Sequence, residues 1–112
     1  MKTKPRLTYD NIYYEYLDGT TVCYLFATIR IFGFIAPIKA EGVSQPKNGD
    51  RYDREIGEKV ALAKAEINAY RTTKKIVEKY YKIGIENQNN LAIMRDKCSR
   101  VIEHNINYLK LF

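Results

Sequence analysis

The chain of 112 residues contains no tryptophan, one histidine, two cysteines and three prolines, and each shortage removes a class of protein. The lone imidazole is His104, and its neighbour Glu103 points to another side of any helix through both. No nucleophile and base pair is visible, so His104 reads as a surface or interface residue. Cys23 and Cys98 have no Cys or His at ligand spacing, which argues against a zinc site or a disulfide framework and for two buried, reduced thiols. The most apolar run, IFGFIAPI, is eight residues long, against the roughly twenty that a spanning helix needs. The opening MKTKPRLTYD has no signal-peptide apolar core, so no membrane partner and a cytoplasmic location are expected. Neither G-x-G-x-x-G nor G-x-x-x-x-G-K-[ST] occurs, and PKNGD does not qualify as a phosphate loop. These absences lead us to expect no metal, no cofactor and no catalysis.

What the sequence does hold is apolar and aromatic mass: 46% hydrophobic residues, ten tyrosines and four phenylalanines. Such a chain folds, and its length suits one domain. The net charge of +6 favours anionic partners. Residues 1 to 49 carry 6 basic and 4 acidic side chains, and residues 50 to 112 carry 13 and 9, so the second half holds +4 of the excess.

Hydrophobic patterning changes period once. LTYDNIYYEYL suits a half-buried pleated surface, Asp18-Gly19 supplies the positive φ angles of a tight hairpin turn, and TTVCYLFATIRI follows as a second strand. That strand is apolar at both parities, with Val22, Tyr24 and Phe26 opposite Cys23, Leu25, Ala27, Ile29 and Ile31, so both faces are expected to be covered, one by helices and the other by a second subunit. Gly33 marks a bend, and FIAPIKAEGVS forms a third strand in which Pro37 implies an edge position. Pro46 and Asn48-Gly49 then punctuate the chain, Asp50 or Asp53 is placed to cap a helix, and Glu55 and Glu58 suit its first turns. These carboxylate pairs have the one-turn spacing of a metal or acid/base site, but helix starts want the same residues.

Ile56, Val60, Ala63, Ile67, Tyr70, Val77 and Tyr81 continue at helical spacing, widened by Leu62, Ala65, Ala69 and Ile76. A helix unbroken to Ile83 is about 50 Å long, whereas a compact domain of this size has a radius of gyration of roughly 13 Å, so the helix must project, break or meet another subunit. Gly84 and IENQNN read as a stop and a new start, and Leu91, Met94, Cys98, Val101, Ile102, Tyr108 and Phe112 outline a second helix. The expected fold is α+β: a three-stranded antiparallel meander over 7–44, a long helix over 50–83 and a second helix over 87–111, in a single domain.

Two polar features invite a ligand. Arg71, Lys75, Lys79 and Lys82 occupy successive turns on one side of the long helix, and Tyr70, Tyr80 and Tyr81 beside them offer stacking surfaces. The plain alternative is a solvated lysine face. Arg95 and Arg100, with Lys97 between, bring the planar cations that suit bidentate contact with phosphate. Across a helical hairpin or a subunit interface they would close an anionic pocket with Tyr80 and Tyr81, or else pair with Glu78 or Glu86.

The stretch from Gly42 through Pro46, Asp50, Tyr52, Asp53, Ile56, Gly57, Ala61 and Ala65 resembles a pattern found in small bacteriophage accessory proteins. A small antiparallel sheet followed by two helices is similar to the Thoeris anti-defence sponge family. That resemblance implies a phage-type protein in the host cytoplasm that sequesters a cyclic ADP-ribose-type nucleotide without cleaving it, between subunits of a homo-oligomer. It also implies an aromatic and arginine pocket, for which Tyr70, Arg71, Tyr80, Tyr81, Arg95 and Arg100 are the candidates by chemistry. The competing expectation is a module that binds nucleic acid or a host protein through the basic stripe of Arg71, Lys75, Lys79 and Lys82.

Overall fold

Three antiparallel strands in the order β1-β2-β3 are followed by two helices, an α+β fold as the change of period implies. The computed structural model describes residues 5–31, 33–46, 53–82 and 88–112. The elements are β1 (Arg6–Leu17), β2 (Thr20–Ile31), β3 (Phe34–Ser44), α1 (Arg54–Lys82) and α2 (Gln88–Leu109). The expected cap at Asp50, the turn at Asn48-Gly49 and the stop at Gly84 lie outside the described residues.

β1 and β2 meet through Asp18 and Gly19, both at positive φ (46° and 80°), the backbone that joins right-twisted strands in two residues. A register shift between Tyr9 and Asn11 leaves Asp10 as a bulge, and its carboxylate accepts a 2.6 Å hydrogen bond from the Thr28 hydroxyl. Along β2 the odd residues Thr21 to Ile31 are buried and the even residues are half-buried or exposed. The odd face packs on helices. Among the described residues no element covers the even face, so the second cover expected for β2 does not come from within the described chain.

Helix α1 starts where Asp53 accepts a hydrogen bond from the Ile56 N–H at 3.2 Å, the N-cap expected of it. Glu58, one turn on, accepts a hydrogen bond from the Tyr16 hydroxyl, and Arg54 lies over the Tyr16 ring at 4.2 Å while pairing with Glu58 at 3.6 Å. Glu58 thus ties the end of β1 to the start of the helix. Ile56, expected on the buried face, is 44% exposed; the apolar face begins one residue later, at Gly57.

α1 runs unbroken for 29 residues, about 44 Å. It does not break, and it runs along β3 from the Gly42 contact to Tyr80 packed on Phe34, so the whole molecule is elongated, 53 × 23 × 19 Å with a radius of gyration of 16.1 Å. Its buried face is wide because two neighbours share it. Gly57, Ala61 and Ala65 descend at four-residue steps toward the sheet, while Tyr70, Thr73 and Val77 continue the core among Leu91, Met94 and Cys98 of α2. Thr73 is fully buried and its hydroxyl donates back to the Ala69 carbonyl at 2.9 Å, so its polarity is satisfied within the helix.

Helix α1 and strand β3 come into backbone contact at Gly42. A Cβ added there would lie 2.0 Å from the Ala61 carbonyl oxygen and 2.5 Å from the Ala65 nitrogen, both backbone atoms that cannot rotate away. Gly42→Ala therefore must separate helix from strand along their whole contact. A loss of at least about 3 kcal/mol, the upper part of the overpacking range, is expected in urea unfolding; a midpoint within error of wild type would disprove this reading of the contact.

Candidate functional site

Helix α1 lies beside the outer edge of β3 and bonds to it. The Lys64 ammonium donates to the Val43 carbonyl at 3.0 Å, and the Asn68 amide donates to the Glu41 carbonyl at 2.8 Å. Those strand oxygens face away from β2, so helix side chains satisfy an edge that would otherwise offer itself to another strand. Pro37, on the same parity, removes an outward N–H, consistent with the edge position read from the sequence.

Between this edge and the helix runs an open groove of about 810 Å³, within the size range of small-molecule sites. Its lining includes Lys39, Lys64 and Arg71 as cations, Glu41 as the acid, and Asn68 and Thr72 as neutral polar groups. The Thr72 hydroxyl donates to the Asn68 carbonyl at 3.1 Å. The Lys39 ammonium sits over the Phe26 ring at 5.7 Å, on the other face of the sheet, so Lys64 and Arg71 against Glu41 set the charge that favours an anion here. Arg71 is fixed on a rigid helix, and its fork of donors suits a phosphate.

The sequence-derived candidates separate. Arg71 lines the groove, and Lys75, Lys79 and Lys82 continue from it, all exposed, down the rest of α1. Tyr81 and Arg95 do meet across the helical pair, with the guanidinium 5.2 Å from the ring centroid, and Arg95 also pairs with Asp96 at 3.6 Å. Tyr80 turns toward the sheet and packs on Phe34 at 5.2 Å. Arg100 is exposed on α2. Tyr70 is only 7% exposed, its ring edge-on to Tyr9 at 6.4 Å, so its face is occupied by the core. The six residues therefore do not converge on one pocket within the chain.

Lys39, Lys64, Asn68 and Thr72 were not singled out by sequence. Lys64 and Asn68 lie at helical spacing ahead of Arg71, a signal that extending the basic stripe backwards would have caught. Lys39 comes from another element and carried no such signal.

Elsewhere, Tyr9 donates to the Glu66 carboxylate at 2.7 Å, and burial together with that carboxylate pushes the Tyr9 phenol well above its usual range. Glu66, the exposed His104 and the buried Asn105 line a smaller cleft of about 240 Å³ between the helices. Among the described residues no three His, Cys, Asp or Glu side chains gather as a metal site, and no helix is long and apolar enough to cross a membrane. Comparison of the chain with family models, curated proteins and solved structures finds no match.

Both cysteines are free and fully buried, as expected of them, and burial raises each thiol to about 11. They should react slowly with thiol reagents near neutral pH, since the thiolate is the nucleophile. The unfolded chain loses these protons near pH 9 while the folded chain keeps them to about 11, so their contribution to stability is complete below 9 and is lost as pH rises through 11. Urea unfolding of wild type and of the Cys23→Ala/Cys98→Ala variant should show wild type losing more stability between those pH values; parallel pH profiles would contradict the assignment.

Proposed function

We propose that this chain is a non-catalytic binding protein that sequesters a phosphate-bearing nucleotide, with the groove between β3 and α1 as its site. The observation that supports it most is the combination of nucleotide-sized volume with Lys64 and Arg71 along one lining. Arg71 takes a phosphate through paired N–H donors, Lys64 balances the remaining charge, and Asn68 and Thr72 offer polar contacts to a sugar. A cyclic ADP-ribose-type nucleotide, the ligand that the sequence resemblance implies, has phosphates and hydroxyls for both kinds of contact. Sequestration needs no general acid or base. In this reading the protein works in the cytoplasm of a phage-infected cell, where the nucleotide signal is produced.

A second reading rests on a different observation. Lys64, Arg71, Lys75, Lys79 and Lys82 form an exposed line that spans about 27 Å of helix, longer than a single nucleotide and suited to successive phosphates of a strand.

Titration calorimetry with cyclic ADP-ribose separates the two. Saturable uptake, recovery of the ligand unaltered by mass spectrometry, and a loss of about ten- to a hundredfold in affinity for Arg71→Ala, the scale of a charged hydrogen bond, are expected. No heat at micromolar protein, or a chemically changed ligand, would remove the first reading. For the second, binding of a single strand through four or five of these cations should weaken with salt at a log–log slope of about −3. Absence of strand binding at low salt eliminates it.

A further inference from the structure

The even face of the sheet is an apolar surface that no element among the described residues covers. It carries Tyr13 and Leu17 from β1, Val22, Tyr24 and Phe26 from β2, and Ile35 and Val43 from β3, with Ile35 56% and Leu17 61% exposed. Its charges are sorted along the strands. Arg6 and Arg30 stand directly opposite each other at one end, an unfavourable like-charge pair, and among the described residues neither forms an ion pair with an acid. Glu15 and Glu41 flank Val22 and Tyr24 toward the other end, and Lys39 lies between, beside Phe26.

The rings at the centre argue against a base-stacking platform. Tyr13 stacks on Tyr24 at 5.0 Å and on Phe26 at 5.7 Å, and the Lys39 ammonium sits over the Phe26 ring at 5.7 Å. Each ring thus spends a face on a neighbour and stands edge-outward, and two carboxylates beside them would repel a phosphate backbone. Upright side chains in rows are what interdigitates when two sheets pack face to face.

We propose that this face binds the same face of a second copy of the chain, about a two-fold axis that lies in the interface, crosses the strands at Phe26 and runs each strand antiparallel to its equivalent. That operation sets Glu15 against the second copy's Arg6 and Val43 against its Ile35, while Lys39, in register with Phe26, meets the second copy's Lys39 at the axis with a Glu41 on either side within side-chain reach. The Arg6 charge at one end of one sheet is balanced by Glu15 at the opposite end of the other, an isologous and closed contact. Strand β3 stacks over β3, so both basic grooves open along the same edge of the resulting sandwich.

Sedimentation equilibrium of the full chain across about 1 to 100 µM tests it. A dimer is expected, weakened at least about tenfold by Phe26→Lys and by Arg6→Glu or Glu15→Arg alone, because each single swap places like charges together. The double swap Arg6→Glu/Glu15→Arg restores the pair across the two-fold and should return the dimer to within about threefold of wild type. Circular dichroism of each variant confirms that it folds, as these outward residues support no core. A monomer throughout the range, a dimer indifferent to Phe26→Lys, or a double swap no better than its singles overturns the proposal. So does displacement of the dimer by a nucleic acid or another protein that protects Tyr13 and Phe26 in its place.

Discussion

Everything beyond the sheet hangs on the contact of one backbone with another at Gly42. Because that residue has no side chain, helix α1 comes close enough for its Ala61 and Ala65 backbone to face β3 directly, and the alanines above and below keep the approach close over several turns. The same closeness puts Lys64 and Asn68 within hydrogen-bonding distance of the strand's outward carbonyls. A bulkier residue at Gly42 would lift the helix, break these bonds and open the edge. Fold, edge protection and groove are thus consequences of one distance.

The course of α1 and the position of the groove follow from this seat. The first half of α1 is held between β3 and α2, with Tyr16, Arg54 and Glu58 tying its start to β1. Its second half stays beside the sheet, where Tyr80 packs on Phe34 at the far end of β3, and it is accompanied there by α2. The groove lies alongside Lys64 to Thr72, and the lysine line runs on from it along the exposed side of the helix. A compact nucleotide and an extended polyanion would therefore engage different stretches of one helix, with Arg71 common to both.

Much of the architecture was legible because its signals are local. Asp18-Gly19 specifies a two-residue turn, alternation along β2 marks an inner row, Pro37 marks an edge, Asp53 marks a cap, and the four-residue steps of small side chains announce that something sits close. The candidate site was less legible because a groove is a relation between elements. Nothing in the neighbourhood of Lys39 says that it will lie opposite Arg71, and nothing around Tyr70 says that Tyr9 will cover its ring. Tyr80 and Tyr81 are adjacent in sequence, yet the helix sends one to Phe34 and the other to Arg95.

The sequence by itself determined the element types, their order, the basic charge and the absence of any clustered histidine or cysteine chemistry, since each depends on residue identity and short spacing. Tertiary structure decided which neighbour the small residues of α1 were for, which tyrosines became core and which cations came to share a groove, because each requires two distant segments to be placed in register. It also decided that β2, apolar on both sides, is covered on only one by the described chain. Periodicity reports how apolar a face is; only the packing of the other elements shows whether the chain has anything left to cover it.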